Sequence, residues 1–165
     1  MTLQLNSNLP VLVLLLGWCG CADADYSIET TAGRVTLSNG TDIQVAVVPE
    51  AGGELSGLSV FFDGEWRELI YRALDYGGAK GWRGKAQLLW PATGITLNRE
   101  SQEQAYDLDG VEYPMPFHGF AKAHPWRLVG QEQTGEYASV TLELEDNEET
   151  RRYYPFDFRL RVEYR

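Results

Sequence analysis

The stretch "LSGLSVFFDGEWRELIY", residues 55–71, decides the fold. Apolar and polar residues alternate on either side of Asp63-Gly64, and β-branched and aromatic side chains fill the arms. An Asp-Gly pair supplies the positive φ that a tight hairpin turn needs, and period-two alternation is the mark of a strand with one wet face. The same device stands upstream in "RVTLSNGTDIQVAVVPE" (34–50), around Asn39-Gly40, and downstream in "YDLDGVEYPM" (106–115), around Asp109-Gly110. "WRLVGQEQ" (126–133), "YASVTLELED" (137–146) and "FDFRLRVEYR" (156–165) alternate in the same way. The expectation is an all-β, antiparallel architecture. The acidic connection "EDNEET" (145–150) reads as a solvated turn, and 75–104, rich in glycine, as loop around one short strand, "AQLLW".

The chain of 165 residues, 44% hydrophobic and 23% charged, has the balance of a globular domain with a core. Fourteen basic against 24 acidic side chains give a formal charge of −10, which repels phosphate backbones and anionic lipid. A neutral small molecule is easier to accommodate than nucleic acid or a membrane surface. Residues 1–24 differ from the rest: "LPVLVLLLGWCGCADA" (9–24) has an apolar run too short to span a bilayer, followed by an Ala22-Asp23-Ala24 cleavage pattern. Residues 1–24 are therefore expected to be a signal peptide, with 25–165 secreted or periplasmic; lipid anchoring through Cys19 or Cys21 is the alternative. Removal of the leader would take both cysteines and leave a mature chain that relies on its core.

Several chemistries fail on spacing. "GGAKGWRGKA" (77–86) misplaces the first glycine of a phosphate loop and has Ala86 where a magnesium-binding hydroxyl belongs. "GGELSG" (52–57) lacks the flanking glycines of a nucleophile elbow. Two histidines, His118 and His124, with no mature cysteine make a poor zinc set, so no metal is expected. What remains is a concentration of aromatic residues, Trp82, Trp90, Phe117, Phe120 and Trp126, in the glycine-rich loop and the histidine segment. Aromatic faces beside a few polar groups suit a sugar.

Three segments taken in order, "GKAQLLWPATG" (84–94), "YDLDGVEYPMPFHGFAKAHPW" (106–126) and "ETRRYYPFDFRLRVEY" (149–164), resemble the aldose 1-epimerase, or galactose mutarotase-like, family; "VVPEAGGELSGLSV" (47–60) adds a weaker match. The resemblance implies an antiparallel β supersandwich and cofactor-free interconversion of the α and β anomers of a free aldohexose. It places His118 at the sugar as an acid/base group and gives Trp90, Lys122 and Trp126 substrate contacts, with Gly119 allowing close backbone approach and Phe120 packing inward. His124 matches no ligand position and, before proline, is expected to be extended and partly exposed. Lys122 stands where the family has arginine, which keeps the charge and loses the planar fork. Ile95 replaces another arginine. The family's second histidine, its main general acid, and its glutamate base are expected beyond residue 165, so His118 assists at the ring oxygen and the chain reads as the N-terminal portion of an epimerase, inactive alone. A noncatalytic sugar-binding β sandwich is the alternative.

Overall fold

The computed structural model describes residues 25–71 and 86–165; the leader, the "GGAKGWRG" segment and Trp82 lie outside the described residues. Among the described residues ten strands form three antiparallel sheets. The first holds β1 (Ser27–Thr31), β2 (Arg34–Ser38), β3 (Ile43–Val48), β4 (Glu54–Phe62) and β5 (Glu65–Glu68) in sequence order. The second places β9 (Ala138–Glu145) between β8 (Arg127–Gln133) and β10 (Arg159–Tyr164). A hairpin of β6 (Ala105–Leu108) and β7 (Val111–Pro114) stands apart.

The turns explain the meander. Asp63-Gly64 and Asp109-Gly110 are left-handed at both residues, with φ of 54° and 83° and of 52° and 80°, so each closes a two-residue hairpin as the sequence predicts. Asn39-Gly40 differs. Its turn is a four-residue loop, because the Asn39 Oδ1 accepts the amide protons of Thr41, Asp42 and Ile43 and holds the chain open around its own side chain. The β1–β2 turn, Ala32-Gly33, is also left-handed at both residues, at 50° and 76°, although alanine gives no turn signal. The expected strand "AQLLW" reduces to two isolated bridges, Leu55 with Ala86 and Trp90 with Gly119.

β1 and β2 lie against β8 and β9, and the core forms between them. Val35, Leu37 and Val47 from the first sheet meet Val140, Leu142 and Leu144 from the second, with Ala121 and Trp126 closing one end. The central strand β9 is buried on both faces. Its core face is aliphatic, while Glu143 on the other face is 3% exposed and pairs with Arg127, Arg159 and Arg161. The Arg161 hydrogen bond, opposed by burial and helped by Arg127 and Arg159, holds the Glu143 carboxyl below its ordinary 4.5.

A carboxyl whose pKa is lowered by folding stabilises the fold above its unfolded value and loses that contribution as pH falls through the folded one. Urea unfolding of the wild type is therefore expected to lose stability as pH drops below 4.5, and Glu143→Gln is expected to flatten that limb. Parallel acid limbs for the two proteins would contradict the assignment.

Candidate functional site

Two loops are sewn together by backbone hydrogen bonds. The Trp90 carbonyl accepts the amide protons of Phe120 and Ala121 at 3.0 and 3.1 Å. Gly94 and His118 bond reciprocally: the His118 amide donates to the Gly94 carbonyl at 2.9 Å, and the Gly94 amide donates to His118 Nδ1 at 2.7 Å. The Trp90-Pro91 peptide is cis. His118 and Gly119 are both left-handed, with φ of 65° and 72°, a conformation costly for histidine and retained here by the bonds on either side of it. At Gly119 a Cβ would stand 2.2 Å from the Trp90 oxygen, so the close approach expected of this glycine is a steric necessity.

The early glycines act on the same loop from the other side. A Cβ on Gly52, which is left-handed at 74°, would stand 2.2 Å from the Lys122 carbonyl. The Trp126 amide donates to Pro49 at 2.9 Å. The 3-10 turn Ala121–Ala123 is thus clamped between the Trp90 loop and the β3–β4 connection. "VVPEAGGELSG" reaches the site as support.

His118 is half-buried, its ring centroid 3.8 Å from that of the exposed Phe117. Because Nδ1 accepts a backbone proton, the proton of the neutral ring lies on Nε2. The imidazole therefore presents a donor. Lys122 bends back, its Nζ donating to the Phe117 carbonyl and lying 5.5 Å from that ring's centroid. Burial pushes its ammonium below the ordinary lysine range. His118 and Lys122 thus converge around Phe117. Among the described residues no carboxylate is hydrogen-bonded or ion-paired to either, and no three His, Cys, Asp or Glu side chains gather as metal ligands do.

Trp90 lies behind this rim, partly buried, against Phe158 at 4.6 Å, Tyr154 at 5.2 Å and Phe120 at 5.4 Å between centroids. Trp126 corrects an expectation: at 2% exposed, with its indole N–H donating to the Ala121 carbonyl, it has no face to offer a sugar and instead supports the loop from below. His124 is extended as expected, at φ −104° and ψ 145°, but is 7% exposed and not at the surface. Its ring packs edge-on against Phe120, which is inward as expected at 1%. Sequence reasoning missed the aromatic wall of "YYPFDF" (153–158), whose density of rings around one proline was its signal.

The neutral His118 is expected to be the Nε2–H tautomer, read from imidazole ¹⁵N shifts in a long-range ¹H–¹⁵N correlation above pH 8. A protonated Nδ1 would refute the Gly94 bond. Gly119→Ala is expected to cost about 2–4 kcal/mol in urea unfolding, from left-handed strain and the displaced Trp90 carbonyl.

The aldose 1-epimerase family description matches residues 33–165 of this chain. A 51-residue stretch is 37% identical to an Escherichia coli protein provisionally named glucose-6-phosphate 1-epimerase, covering 31% of this chain and 17% of that protein. Among solved structures, a Synechocystis sp. PCC 6803 protein superposes with a TM-score of 0.64 at 24% identity, over 84% of this chain and 43% of that one. A galactose mutarotase related enzyme from Lactobacillus acidophilus gives 0.57 at 26% identity, over 84% and 38%. The chain spans less than half the length of each of these relatives.

Proposed function

This chain belongs to the aldose 1-epimerase family, and on that premise we propose that the protein interconverts the α and β anomers of a hexose by acid/base ring opening, with His118 donating to the ring oxygen. The observation that carries the reading is the Gly94 amide on His118 Nδ1, which leaves an Nε2–H as the ring's donor. Mutarotation needs such a donor: as the C1–O5 bond breaks, the Nε2–H hydrogen bond stabilises the charge growing on the ring oxygen, the family's second histidine, outside this chain, supplies the proton, and a base removes the proton of the anomeric hydroxyl. The open aldehyde then turns about its C1–C2 bond, and the ring recloses from the other face. Positioned proton transfer of this kind contributes roughly 100-fold or more. No cofactor is needed, because every bond that breaks is re-formed and only protons move.

Lys122 supplies a second donor beside Phe117, suited to a sugar hydroxyl. Trp90 serves as the rear wall, and Trp126 holds the loop. The base, in this reading, belongs to the part of the family fold that this chain does not span. Mutarotase activity is thus assigned to the complete fold, and the 165-residue chain is read as the portion carrying His118 and Lys122. The E. coli relative is named for a phosphorylated hexose, which makes a sugar phosphate the second substrate reading. The formal charge of −10 opposes a phosphate at long range and favours the neutral hexose. Secretion after removal of 1–24 is part of the same proposal, and N-terminal sequencing of the mature protein starting at Asp25 would bear it out.

Polarimetry on freshly dissolved α-galactose and α-glucose, and on α-glucose 6-phosphate, is the test. The 165-residue chain alone is expected to leave relaxation at the buffer rate, and catalysis by it would refute the divided site. In a protein that spans the whole family fold, His118→Ala is expected to slow mutarotation on the order of 100-fold. An unchanged rate would remove His118 from the mechanism.

A further inference from the structure

The outer face of the first sheet, away from the core, carries an ordered row. Ser27, Ser38, Gln44, Ser59 and Glu68 are successive cross-strand partners over all five strands. At the usual spacing of about 4.8 Å between strands the row is roughly 19 Å long. A groove of about 330 Å³ runs along its first four members, Ser27, Ser38, Gln44 and Ser59, with Glu29, Arg34 and Thr36 completing its lining. Small residues beneath it let the Arg34 and Glu68 side chains lie close to the sheet: Ala46 is 1% exposed, and a Cβ at Gly57 would come within 3.2 Å of Arg34 Nη2 and 3.3 Å of Glu68 Oε2. The buried Arg34 Nε has no hydrogen-bond partner among the described residues, so a donor is left over at the groove.

One step further along β4 and β5 from Ser59 and Glu68, on the same face, Phe61 pairs with Trp66. Their centroids are 5.5 Å apart, and they are 43% and 42% exposed. Wet sheet faces usually carry long charged chains that reach into water. Here the row is built of three hydroxyls, one amide and the Glu68 carboxylate, which already accepts from the Leu58 amide and the Ser59 hydroxyl, beside an exposed aromatic pair. Against the single positive charge of Arg34 stand Glu29 and Glu68, so the face disfavours an anion. Alternating C–H faces and hydroxyl groups are what such a surface complements.

We propose that this face is a second carbohydrate site, separate from the His118 site, that takes a short neutral oligosaccharide along the Ser27–Glu68 row with one residue against Trp66. The separation follows from topology. The row lies on the side of the sheet opposite Val35, Leu37 and Val47, and from Gln44 the chain runs five residues, about 16 Å, before Pro49 meets Trp126. Binding here is independent of the mutarotase reading, since it needs no proton transfer and no contact with His118.

Amide and side-chain NMR of the 165-residue chain, titrated with maltotetraose, cellotetraose and β-1,4-galactotetraose, tests the proposal. At least one tetrasaccharide is expected to shift Gln44, Ser59 and the Trp66 indole together at millimolar concentration. Gln44→Ala and Trp66→Ala should each weaken that binding about fivefold, as loss of one hydrogen bond or one stacking contact does, while His118→Ala leaves it unchanged. Mapping on the unaltered chain comes first, so a variant that folds poorly does not decide the matter. Shifts confined to 116–122 that vanish in His118→Ala, no response from Gln44, Ser59 and Trp66 to any of the three, or an equal response to inorganic phosphate would each overturn it.

Discussion

The Trp90 carbonyl accepts two amide protons, from Phe120 and Ala121, and it can do so because Gly119 has no side chain in the way. Much of the site hangs from that one oxygen. It draws the "WPATG" loop against the "HGFAK" loop closely enough for Gly94 and His118 to bond in both directions, and it delivers Phe120 and Ala121 to the core. A second close approach, of Gly52 to the Lys122 carbonyl, holds the same turn from the opposite side. Buried backbone groups must find partners, and here their pairing also sets which nitrogen of an imidazole carries the proton.

The core and the site share residues. Ala121 and Trp126 belong to the aliphatic cluster between the sheets, while the Trp126 amide and indole bind the β3–β4 connection and the 121–123 turn. At Gly53 the two meet: a Cβ there would stand 3.1 Å from Trp126 and 3.2 Å from Leu142. On the far side of β9, Glu143 lies among three arginines whose heads remain in solvent, which keeps a buried carboxylate charged at modest cost.

Legibility in the sequence followed the physics of each element. Asp63-Gly64 and Asp109-Gly110 were legible because residue type and required φ coincide. Ala32-Gly33 was not, since an alanine held at φ 50° is imposed by the pairing of β1 with β2, and β1 went unnoticed with it. The Asn39 side chain competes for backbone amides and lengthens its turn, an effect that a dipeptide rule does not contain. His124 looked exposed because proline follows it, yet Phe120 and the 121–123 turn enclose it. Trp126, chosen for its aromatic surface, spends that surface in the core.

Residue pattern alone determined the antiparallel all-β class, the family resemblance and the choice of His118 over His124, because alternation, turn chemistry and local motifs are encoded within a few residues of one another. Tertiary structure decided the rest. That His118 offers Nε2–H depends on an amide twenty-four positions away, that Trp126 is a support depends on Pro49 and Ala121, and that five polar residues form one row depends on the register of five strands. Each is a contact between segments distant in the chain. Such contacts are set by which backbone groups find partners and which side chains leave room, and no local stretch of sequence contains both halves of that bargain.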